Sequence, residues 1–376
     1  MQRALFFGSL LGAALLNAGC QESSNNPAAS TFTPRPTYET REPEGLTSRL
    51  TGFTVDPEAY FFNLAGCAPT PEQCQLPPLY AEFSPLLQRA VVQNAPISLL
   101  DSATGQVLAE GGVVTASDAN GVWTLDKAPT RRGAPFFVLS LGGAQGTLPN
   151  NGIMPLPPPM LTLQPVPAGN YVPTLTVRPV VPAHSACVGL EALQMSDKGI
   201  LEAVAKYLTA TEGTPTTVAD LLNPGRFGGV TVFWLYRPGF PVFRVPAANT
   251  TVEASAGRVL NIEWAPVGVL PPPLAPFQST RGFFIPPGPP APNSSLGLVA
   301  VVHPPLPQPP MGPPPVVHYE AKDSTTSDPE GRPWVLQPLD LPVAPGSVTF
   351  AGLQMYSKTP STTPQIPPPS TCLPGQ

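Results

Sequence analysis

The chain has 376 residues, of which 57 are proline and 33 glycine; 42% are hydrophobic, only 11% are charged, and the net charge is −5. That length has room for two ordinary domains with linkers, and the hydrophobic share supports a core, although the proline and glycine content approaches the low-complexity range. No basic stripe exists, which argues against nucleic acid as a partner.

Residues 1–20 read as a targeting segment. Arg3 supplies the positive start, and Ala4 to Leu16 is an apolar run too short for a comfortable transmembrane helix. Leu16-Asn17-Ala18-Gly19-Cys20 follows. It resembles the lipobox of bacterial lipoproteins, with Asn17 where that box prefers Leu. The resemblance implies that Cys20 is lipidated and becomes the new N-terminus. Gln21 after the cysteine implies onward sorting to the outer membrane; the alternative is a periplasmic or secreted protein with Cys20 free. Residues 21–46 are rich in Ser, Asn, Pro and Thr and show no apolar periodicity. They are expected to form a disordered tether, because they bury too little surface to offset the entropy of ordering.

Residues 47–148 read as a β-unit. Arg49 to Asp56 forms its opening strand, and Leu79 to Val92 suggests a short amphipathic helix interrupted at Pro85. Cys67 and Cys74 bracket a proline-containing hexapeptide, which in an exported protein predicts a local disulfide rather than a metal pair. Pro96 to Leu100 is a strand, Asp101-Ser102-Ala103-Thr104-Gly105 a turn with Gly105 at positive φ, and Gln106 to Leu108 resumes the extended chain. Asp118-Ala119-Asn120-Gly121 is a second turn, followed by strands at Val122 to Leu125 and Pro135 to Leu141. These two turns, Asp-x-x-Thr-Gly and then Asp-x-x-Gly-x-aromatic at Asp118 to Trp123, resemble the carboxypeptidase regulatory-like domain, a transthyretin-like β-sandwich. The resemblance covers about a quarter of the chain. It implies a mainly β fold with one or two transthyretin-like or Ig-like β-sandwiches, a short helical insertion and proline-rich loops. In that family such domains accompany other activities rather than perform chemistry.

Residues 149–228 form a proline-rich connector with a helical insertion. Met154 to Pro167 reads as a stiff polyproline spacer, and Tyr171 to Val180 as an edge strand, since Pro173 and Pro179 cannot donate to a ladder. Ser196 to Leu208 predicts a helix capped by Ser196 or Asp197, with Ile200, Leu201, Val204 and Leu208 as its apolar stripe. A second short helix is expected between Thr216 or Thr217 and Asn223. Residues 229–358 read as a second, divergent sandwich: Val230 to Tyr236, Asn249 to Leu260, Ser279 to Phe284 and Leu296 to Val302 follow the order of the first unit's elements. His303 to Pro315 is a proline insert, Val316 to Tyr319 and Trp334 to Leu341 are further strands, and residues 359–376 are a tail. Cys187 and Cys372 remain as a second pair. Four cysteines allow three connectivities, so other pairings stay open.

No Gly-x-Ser-x-Gly elbow, His-Glu-x-x-His, phosphate loop or four-cysteine zinc pattern occurs. No catalytic residue, metal or cofactor is therefore expected. His184, His303 and His318 sit in or beside proline-rich stretches; His318 with Glu320 offers a metal pair, but a solvated strand end is the plainer account. Asp101, Asp118 and Asp126 read as turn formers before calcium ligands, and Trp123, Trp234, Trp264 and Trp334 as core residues before a glycan platform. The expected function is an exported, lipid-anchored envelope protein acting as a non-catalytic interaction or structural module. It would meet the membrane through its lipid and an envelope protein or glycan through its body. The alternatives are a divergent hydrolase or metal-dependent peptidase-associated protein, and a glycan-binding surface protein.

Overall fold

A computed structural model describes residues 47–65, 90–101, 105–107, 115–129, 136–143, 148, 154–155, 162–163, 165–180, 187–189, 191–237, 245–288, 292–306, 315–328 and 330–357. The expected leader (1–20), tether (21–46) and tail (359–376) lie outside these residues, as do Cys20, Cys67, Cys74, Cys372, His184 and residues 79–89 of the helix expected over Leu79 to Val92; Ala90 to Val92 are described and are not helical, because Val91 bridges Val55 and the Val92 N–H donates to the Thr54 carbonyl.

Strand β1 (Thr47–Val55) runs into Asp56-Pro57, which starts helix α1 (Pro57–Ala65). Proline is favoured at a first helical position because its missing N–H costs nothing there, and the Ala59 N–H donates to Asp56 Oδ1 at 2.9 Å as a cap. This helix was not expected, although Asp-Pro before Glu58 is a start signal. The meander follows as β2 (Pro96–Asp101), β3 (Thr115–Ala116), β4 (Val122–Pro129) and β5 (Phe136–Ser140). Both expected turns form. Gly105 takes φ +68° and donates its N–H to the Asp101 carbonyl at 2.8 Å. Asp118 Oδ1 accepts from the N–H groups of Asn120 and Val122 at 2.8 and 2.9 Å. Residues 102–104 of the first turn lie outside the described residues.

The connector holds β6 (Met154–Pro155) paired with β7 (Thr162–Leu163), then β8 (Thr174–Val180), β9 (Cys187–Gly189) and β10 (Ala192–Leu193). Helices α2 (Ile200–Glu212) and α3 (Val218–Leu221) come next. The last part supplies β11 (Gly229–Arg237), β12 (Val245–Pro246), β13 (Thr250–Ala254), β14 (Arg258–Trp264), β15 (Phe283–Phe284), β16 (Leu298–His303), β17 (Val316–Ser327), β18 (Pro333–Pro342) and β19 (Val348–Gln354). The fold is mainly β and of the β-sandwich class, as expected.

The first sandwich sets β10-β1-β4, with β9 also on β1, against β2, β5 and β8. Leu50, Ile97, Leu99, Trp123 and Val138 fill the space between. The second layer does not end there. A ten-stranded sheet runs β15-β14-β16-β11-β19-β8-β5-β2-β3, with β12 on β11. Strands of the two expected sandwiches, 47–148 and 229–358, therefore lie in one sheet, and the expected boundaries at 148 and 228 do not break it. Parallel pairing of β8 with β19 and of β19 with β11 makes the junction.

That pairing corrects the placement of β8 at an edge. It is bonded on both sides, to β5 and β19, because the β19 ladder uses only Thr174 to Phe350's partner Thr176, leaving Pro173 and Pro179 outside it. The expected internal repeat is not matched in pairing: β1 pairs with β4, whereas its counterpart β11 pairs with β16, the counterpart of β5.

Around β11 the sheet is buried on both faces, which explains its continuous apolar run. Val230, Val232 and Trp234 meet α1 and α2 together with Phe61, Ile200, Leu201, Val204, Leu208 and Phe350. Phe233 and Leu235 meet the three-stranded sheet β13-β17-β18 through Val317, Tyr319 and Trp334. The order through the body is helix, long sheet, short sheet.

Candidate functional site

The most distinctive polar cluster lies where the β1–α1 corner, the start of α2 and the turn before β15 converge. Asp56 and Glu58 enter from the corner, Tyr171 from the stretch before β8, and Arg281 from residues 279–282. Arg281 Nη1 donates to Asp56 Oδ2 at 2.8 Å and to Glu58 Oε2 at 3.1 Å, with all three side chains no more than 1% exposed. Its Nε donates to the Pro167 carbonyl at 3.1 Å. Tyr171 Oη donates to Asp56 Oδ2 at 2.9 Å. Asp56 thus divides its oxygens, Oδ1 capping α1 and Oδ2 receiving the two side chains.

Glu58 does the corresponding work for α2. Its Oε1 accepts the Ile200 N–H at 2.5 Å and its Oε2 the Ser196 N–H at 3.3 Å. The start of α2 is therefore Ile200, after Gly199, and not Ser196. The cap expected from Ser196 or Asp197 comes instead from a carboxylate 142 residues away. Ser196 Oγ is taken by the Lys198 N–H and Asp197 Oδ1 by the Asn170 N–H. Gly199 has to be glycine, since a Cβ there would run into the Glu58 carboxylate.

Two carboxyls face one guanidinium, so with both ionised the cluster would hold one excess negative charge. Burial pushes Glu58 up to about 7, and Asp56 adds to the shift while Arg281 and the two N–H groups oppose it. Burial and the Asp56 charge also hold the Tyr171 hydroxyl well above its usual value. For Arg281, burial alone would favour deprotonation, but Asp56 and Glu58 together keep it firmly cationic.

A second buried set sits between the long and short sheets. His303 Nδ1 lies 3.1 Å from the Ala256 carbonyl, so Nδ1 carries the proton and Nε2 accepts. Thr231 Oγ1 is 3.0 Å from that Nε2, and Tyr319 Oη donates to Thr231 Oγ1 at 3.0 Å. Burial holds His303 down to about 4, keeping it neutral. It is thus a core residue at the end of β16, not part of the proline insert.

His318, by contrast, is exposed on the outer face of β17. Its Nδ1 is 2.8 Å from Asp340 Oδ1 on β18 and its Nε2 is 3.5 Å from Glu320. The bond to Asp340 raises its pKa. Among the described residues no three His, Cys, Asp or Glu side chains are placed to hold a metal ion. Asp101 is buried in β2, Asp118 makes its turn, and Asp126 pairs with Arg49 at 3.1 Å, so the three stay separate. Trp123, Trp234 and Trp334 are buried, and Trp264 donates its indole N–H to the Arg281 carbonyl at 2.8 Å. The Cys187 backbone lies in β9, opposite Arg49 of β1.

An open groove of about 560 Å³ follows α2, bordered by Lys198, Glu202, Lys206, Thr209, Thr217 and Pro276. Two of its charges are tied together: Lys206 Nζ lies 3.0 Å from Glu202 and donates to the Gln278 carbonyl at 2.6 Å.

Asp56, Glu58 and Arg281 are not among the site residues expected from the sequence. Asp56-Pro57-Glu58 was a local signal, but nothing local connects it to an arginine 225 residues later.

No family model matches the chain. No curated protein matches it either. Among solved structures, the Bacillus anthracis TIE protein is similar with a TM-score of 0.17 and 8% identity, over 82% of this chain and 34% of that one. The chain thus spans about a third of that structure's length, and a likeness at this level carries no argument.

Proposed function

We propose that this chain is an exported, lipid-anchored envelope protein whose β-sandwich body acts as a non-catalytic interaction or structural module. The observation that carries this reading is the use made of the buried ionisable groups. Asp56, Glu58, Arg281 and Tyr171 bind one another and two helix starts, and His303 binds Tyr319, Thr231 and a carbonyl. Each is committed to holding elements together, and none opens onto the groove along α2. Arg3, the apolar run Ala4 to Leu16 and Cys20 support export and anchoring.

The test has two arms. Metabolic labelling with an alkyne fatty acid should mark the chain and fractionate it with membranes, and Cys20→Ser should abolish both. An unlabelled wild-type chain overturns the anchor. A hydrolytic activity of the purified protein that is lost with a chelator and with His318→Ala overturns the non-catalytic body.

A further inference from the structure

In the first sandwich several buried hydroxyls have clear partners. Ser117 Oγ donates to the Val92 carbonyl at 2.7 Å and accepts the Ala95 N–H at 2.9 Å. Thr174 Oγ1 and Thr176 Oγ1 accept the N–H groups of Met195 and Leu193 at 3.0 and 2.8 Å. Four other side chains there are just as enclosed, yet Thr54 Oγ1, Trp123 Nε1, Ser140 Oγ and both ends of the Gln194 carboxamide have no hydrogen-bond partner among the described residues. We propose that these four side chains line an internal hydration site, a small cluster of ordered water held between the layers of the first sandwich.

The strand registers place all four on the inner face. Side chains along a strand share a face at every second position, so Thr54 faces the same way as Gly52 and the core residue Leu50. Trp123 stands opposite Gly52 and Ala192 opposite Thr54, and both belong to that core. Gln194 follows Ala192 by one strand period and shares its face, while its own N–H is taken by the Val55 carbonyl at 2.9 Å. Thr54 thus has Trp123 on one diagonal and Gln194 on the other, the spacing at which long side chains meet. Ser140 comes from the facing layer, opposite Ile97 and Thr174 and on the same face as Val138. Strand β10 packs on β5 and β8, which brings Gln194 to the Ser140 side. Ser98 also lacks a partner, but it lies on the opposite face of β2 and stands apart.

The chemistry of the set selects water. An indole only donates, whereas a carboxamide and a hydroxyl both donate and accept. A cation would leave the donors unmatched and an anion the acceptors; water serves both. These atoms are closed off from solvent, so a larger organic molecule has no mouth to enter by. A buried water typically makes about three hydrogen bonds to such groups. Left unmade, each bond would carry the full desolvation cost of its group, beside hydroxyls that are satisfied. The site adjoins the Asp56 cluster without sharing its bonds: Ser196, one strand period past Gln194, donates its N–H to Glu58 at 3.3 Å.

The test detects the water in the full chain. In the deuterated, nitrogen-15-labelled protein, water should cross-relax with the Trp123 indole N–H and the Gln194 side-chain amide. The NOE and ROE should have the opposite signs that mark a long-lived bound molecule. Trp123→Phe and Gln194→Met identify the two signals by deleting them. Oxygen-17 relaxation dispersion of the solvent, which exchanging hydroxyl protons do not affect, should lose the contribution of about one water or more in Gln194→Met. That substitution keeps the length of the side chain and removes its hydrogen bonds; Thr54→Val gives the same readout should it not fold. Absence of both cross-peaks in the wild type overturns the proposal, as does a dispersion amplitude unchanged by the substitution. A small organic molecule released on denaturation and seen by mass overturns water as the occupant.

Discussion

A single buried arginine decides whether the corner at Asp56 and the start of α2 stay joined. Arg281→Met removes the cation and leaves two buried carboxyls facing each other, a situation that typically costs about 3–5 kcal/mol. Chemical denaturation should read a loss of that size, and a loss below about 1 kcal/mol would mean the cluster is unimportant to stability. Gly199→Ala should be similarly harmful, because the new Cβ displaces the Glu58 carboxylate from the helix start. The same cluster sets a pH dependence. Glu58 is raised to about 7 from 4.5, so its contribution is full below about 4.5 and is lost as pH rises through 7. His303 is lowered to about 4 from 6.5, so its contribution is full above 6.5 and is lost as pH falls through 4. The two slopes oppose each other between 4.5 and 6.5. Glu58→Gln should therefore unmask a melting temperature that climbs with pH across that window, compared with a flatter wild type. A variant profile parallel to wild type would contradict this assignment.

At the scale of the element, helix ends and strand faces carry the specificity. Helix α3 spans only Val218–Leu221, too short to persist on propensity. It is held by a capping box in which Thr217 and Asp220 bond each other's backbone N–H groups. These bonds, with Arg226 alongside, lower Asp220 to about 2. Thr217→Ala should cost about 1 kcal/mol, seen as a small shift in midpoint and faster amide exchange at Asp220 and Leu221. On β19, Phe350 and Val348 face α1 and α2 while Ala351 faces the short sheet. Phe350→Ala should cost about 3–5 kcal/mol because rigid neighbours on both sides limit collapse. The periodic stripe of α2 was legible beforehand: Ile200, Leu201, Val204 and Leu208 were identifiable as one face, and all four are buried. The start of α2 was not legible, because its cap belongs to a distant residue.

For the whole molecule, the continuous sheet means that the two sandwiches should not unfold separately. The described residues from Thr47 onward cluster as one compact unit, and β8, β19 and β11 bridge its two parts by parallel pairing. One cooperative transition is expected by both circular dichroism and tryptophan fluorescence. A fragment ending at residue 228 should fail to fold, since it lacks β11 and β19 and leaves an edge of β8 unpaired. Two separable transitions, or a folded fragment, would show instead that the sheet junction is weak.

The amino-acid sequence determined what depends on near neighbours. Asp118 and Gly121 made their turn through bonds spanning two to four residues. The apolar runs at Val230 to Tyr236 and Leu296 to Val302 made buried strands, and Thr217 made a cap. The sequence also carried the leader-like segment and Cys20, on which the proposed anchoring rests. Tertiary structure alone decided what depends on distant partners. It placed β8 inside a sheet rather than at its edge, merged two expected sandwiches into one ladder, and turned His303 from a loop residue into a neutral core residue. It also brought Asp56, Glu58 and Arg281 together. A strand's pattern states which faces are apolar but not which strand lies beside it, and a charged residue's partner is chosen by the packing that removes both from water.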